Sequence, residues 1–280
     1  MKYYEKDQDQ DKNKDNISLS DDVTSVSSRG WQMLNKVPEV TISFWIIKIM
    51  ATTVGETGAD FLNTNLNFGL TNTTFFMSAL LFITLFFQFK LKKYVPSVYW
   101  LTVLLISVVG TLVTDNLTDN FGIVLETTTI VFTLLLLATF AAWYVSEKTL
   151  SIHSIHTTKR EAFYWLAILF TFALGTAAGD LVAESLNLGY WISALIFAAL
   201  IGAVTVAYYH FKLNAVLAFW IAYILTRPFG ASFGDYLSQS RDAGGLGLGT
   251  IETSVIFLVT ILSLVIYLTK TKKDVNPSIH

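Results

Sequence analysis

Cysteine is absent from the 280-residue chain, which excludes disulfides, thiolate metal sites and cysteine nucleophiles. Proline and histidine occur four times each, and charged residues make up 14%, against about 25% in an average soluble domain. The shortage is sharper over most of the chain, because the first 39 residues hold 8 of the 21 acidic and 6 of the 19 basic residues. A formal net charge of −2 excludes electrostatic nucleic-acid binding as the main role. Enzyme motifs are lacking too: there is no phosphate-binding Gly-rich loop, no His-Glu-x-x-His pair and no His within an apolar run. The Gly244–Gly249 stretch reads as a flexible extracytoplasmic loop. Neither catalysis nor a resident cofactor is expected.

Long apolar runs are what the chain has instead. Hydrophobic residues reach 53% and the mean hydropathy is +0.53, which points to an all-α, polytopic membrane helix bundle in contact with the lipid bilayer. Residues 1–36 are polar, cannot bury enough surface to fold alone, and read as a disordered tail without a signal peptide. Residues 37–274 form the transmembrane domain, and 275–280 a short C-terminal tail. Eight helices are expected near 40–61, 71–89, 97–118, 123–145, 162–184, 190–209, 215–237 and 250–269, each able to cross a hydrocarbon core of about 30 Å. Sixteen of the 19 basic residues fall on the side of the N-terminal tail and Lys90, Lys148, Lys212 and Lys270, while the other side has only Arg241. That asymmetry places both termini in the cytoplasm of a cell inner membrane or plasma membrane.

The chain repeats internally. Trp, Gly ten residues on and Asp fifteen residues on recur as Trp45–Gly55–Asp60, Trp100–Gly110–Asp115, Trp165–Gly175–Asp180 and Trp220–Gly230–Asp235. An aromatic residue precedes each Trp: Phe44, Tyr99, Tyr164 and Phe219. An offset of 120 superposes the halves, carrying Leu66-Asn67-Phe68-Gly69 onto Leu186-Asn187-Leu188-Gly189. Leu125-Glu126-Thr127-Thr128 likewise resembles Ile251-Glu252-Thr253-Ser254. The pattern describes a two-helix unit duplicated twice, with repeats near 37–95, 96–155, 156–212 and 213–270. Two helices per unit make the repeats parallel, so the four Asp residues share one depth around an axis along the membrane normal.

On these frames, and on Val37-Pro38-Glu39-Val40 leading to Gly55-Glu56-Thr57-Gly58-Ala59-Asp60, the chain resembles a bacterial integral membrane family of unknown function. The resemblance covers roughly residues 36–270. It implies four tandem two-helix repeats with a shared Trp and carries no particular chemistry.

Function has to be sought in the ionisable residues. Glu56, Asp60, Asp115, Asp119, Asp180, Glu184 and Asp235 gather near the extracytoplasmic ends of the odd-numbered helices, among Thr52, Thr53, Thr57, Thr111, Thr114 and Thr176. Carboxylates in a membrane segment cost about 2.5–3.5 kcal/mol on insertion scales and usually face a cavity or a partner. Ten embedded or extracytoplasmic acids meet only Lys48, Arg227 and Arg241, so protons, water or a bound cation must offset the remainder. Glu126 and Glu252 open even-numbered helices and suit the dipole there. Lys48 reads either as a buried partner of Glu56 or as a snorkelling side chain, and Arg227 as a structural partner of Asp235. Pro228 is expected to kink its helix.

Hard oxygen ligands suit a small inorganic cation such as Mn²⁺ or Mg²⁺, or a proton-coupled ion. Glu56, Asp60, Asp180 and Glu184 are the expected metal ligands, whereas His153, His156 and His210 are scattered and do not suggest zinc. The first expectation is therefore a transport protein with a carboxylate-lined cation site. A non-catalytic membrane scaffold or sensor is the alternative, and a homo-oligomer stays open for either. The Trp and Gly frames are expected to be structural, through packing and close helix approach.

Overall fold

A computed structural model describes residues 35–275. The polar tail and the last five residues lie outside the described residues, apart from Asn35 and Lys36. Eight long helices follow in order: α1 (Ile42–Asp60), α2 (Leu70–Lys90), α3 (Pro96–Asp115), α4 (Leu125–Glu147), α5 (Thr158–Asp180), α6 (Tyr190–Phe211), α7 (Ala215–Ser238) and α8 (Thr250–Thr271). Seven are long and apolar enough to cross a membrane. α1 does not meet that description, because Lys48, Glu56 and Asp60 interrupt it. It is accommodated by packing inside the bundle.

Local chemistry sets the helix starts. The Thr41 and Thr157 side chains accept from the Phe44 and Arg160 amides, Asn214 accepts from Val216 and Leu217, and Pro96 occupies the first turn of α3. At the other end, α4, α6 and α8 stop at Lys148, Lys212 and Lys272 in the left-handed region. Pro228 is housed within α7, which runs unbroken as one helix.

The odd-numbered helices form a closed inner ring in which α1 packs on α3, α3 on α5, α5 on α7 and α7 on α1. Each even helix lies outside, against the odd helix of the following repeat: α2 on α3, α4 on α5 and α6 on α7. The last, α8, returns to α1 and closes the circle. Burial follows this plan. Of the most apolar window, 72% is buried in α3 but only 17% in α2 and α6. The outer helices turn Phe75, Phe82, Leu134, Ile192, Ile256 and Leu262 outward, a surface suited to lipid rather than water.

The duplication is visible in backbone geometry. Asn67 and Gly69 adopt φ of 54° and 76°, and their counterparts Asn187 and Gly189 adopt 53° and 77°. Both turns follow a π-helical turn, Phe61–Asn65 and Leu181–Ser185, and a third, Asn116–Asn120, ends α3. The fourth unit replaces it with a short 3₁₀ turn, Arg241–Ala243.

At the N-terminal end of the odd helices, the Trp end, residues 35–41 dock against neighbouring segments. The buried Lys36 ammonium bonds Glu161 at 2.6 Å and the Phe89 carbonyl at 3.1 Å, while the Glu39 amide donates to the Asp274 carbonyl. Tyr94 donates to Asp274 at 2.7 Å, and burial, reinforced by that carboxylate, pushes the phenol above its ordinary range and keeps it a donor.

Candidate functional site

Counting from each Trp places equivalent residues at equal heights on the four inner helices, with successive levels about one turn, or about 5.4 Å, apart. At the Trp level, each aromatic preceding a Trp also touches the Trp of the next repeat. Ring centroids are 5.5 Å apart for Phe44–Trp100, 5.5 Å for Tyr99–Trp165, 6.3 Å for Tyr164–Trp220 and 5.8 Å for Phe219–Trp45. The Tyr99 and Tyr164 hydroxyls share a hydrogen bond of 2.6 Å. These contacts form a closed aromatic belt.

The Gly level closes in the same sense. A Cβ on Gly55 would fall 1.8 Å from the Ser107 hydroxyl, and one on Gly110 2.8 Å from Phe172 Cβ. On Gly175 it would fall 2.1 Å from Arg227 Cγ, and on Gly230 1.8 Å from the Thr52 hydroxyl. Each partner lies seven residues after its own Trp, on the following repeat. Glycine thus lets one side chain per interface enter the neighbouring helix, and in one interface that side chain is Arg227.

Eleven residues after each Trp stand Glu56, Thr111, Thr176 and Ala231. Three of these meet the Arg227 guanidinium. Its Nη1 and Nη2 donate to Glu56 Oε2 at 3.1 and 3.0 Å, and Nη2 also donates to Thr176 Oγ1 at 2.7 Å and to Thr111 Oγ1. Thr111 Oγ1 donates to Glu56 Oε2 at 3.3 Å and lies 3.4 Å from Thr176 Oγ1. Arg227 is fully buried and its Nε has no acceptor. The expected pairing of Arg227 with Asp235 is replaced by one with Glu56. Eight residues along a helix are roughly 12 Å, too far for a direct pair, whereas Gly175 opens the way across the ring.

Lys48 is corrected for the same reason. It neither pairs with Glu56 nor snorkels. Fully buried, its Nζ donates to the Tyr223 carbonyl at 2.7 Å and to the Thr226 hydroxyl, and it lies 4.2 Å from the Tyr223 ring centroid.

Asp60, Asp115 and Asp180 are the last residues of α1, α3 and α5, and Asp235 lies in the last turn of α7. Asp235 is buried and the other three are partly exposed. All four stand fifteen residues after a Trp, one level, or about one helical turn, beyond Glu56 and its equivalents. Asp60 accepts from Gln239 at 3.2 Å, a partner the repeat pattern does not reveal because Gln239 caps α7 just before the divergent fourth turn. The side-chain carboxylates of Asp115, Asp180 and Asp235 take part in no hydrogen bond or ion pair among the described residues, although the Asp115 and Asp235 main-chain carbonyls accept from Thr118 and Gln239. Glu184 and Asp119 are exposed, bonded to Tyr190 at 3.2 Å and Thr118 at 2.9 Å.

The expected metal set of Glu56, Asp60, Asp180 and Glu184 is not drawn into one shell. Among the described residues no three acidic or imidazole groups are placed to hold a metal ion directly, and Glu56 is taken by Arg227. What the site offers is four repeat-equivalent carboxylates one level beyond the Arg227–Glu56 pair. A separate cavity of about 440 Å³ opens at the Trp end beside Glu39, Trp45, His153, Tyr208 and Phe219, and none of the expected site residues lines it.

Comparison with known families locates the same four units. Residues 43–94, 98–149, 163–214 and 218–274 each match a family described as Repeat of Unknown Function (DUF347). Each match spans one odd helix and the even helix after it. No curated protein and no solved structure matches the chain.

Proposed function

The chain belongs to the DUF347 repeat family, and on that premise we propose that it is an integral membrane transport protein moving a hard cation along the axis of its inner ring. The observation that carries this reading is the placement of four repeat-equivalent carboxylates at one level of a closed ring, three of them without a side-chain partner among the described residues. Like charges placed at one level of a membrane protein repel, and a cation or protons relieve that repulsion. Oxygen ligands without thiolate favour Mn²⁺, Mg²⁺ or a proton-coupled ion. In this reading Asp60, Asp115, Asp180 and Asp235 capture the cation, and Asp119 and Glu184 extend the negative field at the rim. The concentration of basic residues at the Trp end supports a reading in which that end and both termini face the cytoplasm, at an inner or plasma membrane, with capture on the outer side.

A membrane scaffold or sensor is the second reading, favoured by the continuous aromatic and glycine contacts, which would hold a purely architectural ring together equally well. Flux in proteoliposomes separates the two. Single Asp→Asn changes at Asp115, Asp180 or Asp235 are expected to leave yield nearly intact and cut Mn²⁺ flux at least about tenfold. Trp100→Ala or Trp165→Ala should instead lower yield through lost packing. Equal behaviour of both sets in both assays would favour the scaffold.

A further inference from the structure

The level eleven residues past each Trp has the composition of a cation site, with one carboxylate and two hydroxyls on three adjacent inner helices converging on a single point. A cation already occupies that point: the chain's own guanidinium, brought there from α7 through the gap at Gly175. A purely structural ion pair would be expected to use the guanidinium fully. Here Nε, fully buried, donates to nothing, and all the bonding falls on the two terminal nitrogens. Asp180, whose carboxylate has no partner among the described residues, stands four residues beyond Thr176 on α5, about one turn from a residue that bonds the guanidinium. A second carboxylate is therefore within electrostatic reach should Glu56 be taken by another cation.

We propose that Glu56, Thr111 and Thr176 form an inner cation-binding station, and that Arg227 is a tethered cation which holds this station in the empty protein and must be displaced by the transported ion. The proposal rests on the transport reading and deepens it by assigning the point where the path is closed. The four Asp residues capture the ion one turn above. The ion then competes with Arg227 for Glu56 Oε2, so outward and inward access are controlled by one exchange of partners. The fourth corner of the level is Ala231, which supplies no ligand. A station that is self-occupied nearly all the time binds an external ion with an affinity reduced by the fraction of time it is free.

Mn²⁺ binding to the purified full-length protein in detergent, measured by isothermal titration calorimetry, provides the test. Arg227→Gln should bind Mn²⁺ at least about tenfold more tightly than the wild type, because the station is free more than about ten times as often. The double variant Glu56→Gln/Arg227→Gln should lose that gain. An unchanged or weaker affinity in Arg227→Gln, or a gain that survives in the double variant, would overturn the proposal. If Arg227→Gln does not give monodisperse protein, Arg227→Lys replaces it: a compact ammonium cannot span the carboxylate and both hydroxyls, so tighter binding than wild type is still expected and equality is contrary. Flux is scored separately. A tightened Arg227→Gln that carries no Asp-dependent Mn²⁺ flux would sink the transport reading while leaving the tethered cation in place.

Discussion

A buried guanidinium is tolerable only while a carboxylate stays within reach of it. Arg227 and Glu56 are 3.0 Å apart, with Arg227 wholly shielded, so removing one partner strands the other. Arg227→Met is expected to cost about 3–5 kcal/mol, and Arg227→Met combined with Glu56→Gln clearly less, since no uncompensated charge remains. Thermal unfolding of the two variants in one detergent measures the difference, and equal destabilisation would mean that the pair does not act as a unit. The residues of this pair were legible in the sequence, but their pairing was not. Same-helix spacing suggested Lys48 with Glu56 and Arg227 with Asp235, because a single sequence shows faces of one helix and not which helix stands opposite. The deciding fact is the close approach at Gly175, and the repeat frame marks that glycine without saying what enters beside it.

Between the helices, the glycine frame is a steric requirement. A methyl on Gly175 would fall 2.5 Å from Arg227 Cβ and 3.0 Å from Pro228 Cδ, atoms close to the backbone that cannot swing away. Gly175→Ala should therefore destabilise by about 1–3 kcal/mol through overpacking and loosen the Arg227 contacts as well. At Gly202, in the outward α6, an added methyl would meet nothing within 4 Å. Gly202→Ala should stabilise by up to about 1 kcal/mol through helix propensity alone. Opposite shifts in melting temperature are predicted, and shifts of the same sign would refute the ring packing. The eight helices and the repeat register were readable because period, length and the Trp-Gly-Asp spacing all agree. The packing of each even helix on the next repeat was not, since apolar faces alone do not name their partners.

For the molecule as a whole, closure of α8 onto α1 makes the four units mutually dependent, so the Asp level and the Trp level form two opposite ends of one body. The Cys-free chain allows that arrangement to be mapped by single cysteines at residues 66 and 186 against 92 and 212. The first pair should label only from outside intact cells and the second only after permeabilisation. Labelling of residues 66 and 186 from the cytoplasmic side alone would reverse the orientation. The transport reading requires the four repeat-equivalent carboxylates to bind a hard cation in competition with protons. Its most direct test is equilibrium binding of Mn²⁺ to purified protein between about pH 5 and about pH 8, comparing wild type with the variant in which Asp60, Asp115, Asp180 and Asp235 are all Asn. Protons occupy the carboxylates as pH falls, so wild-type binding should weaken steadily toward the acid end, and the Asn variant should bind little Mn²⁺ at any pH. Binding that is independent of pH in the wild type, or that persists in the Asn variant, would contradict the account.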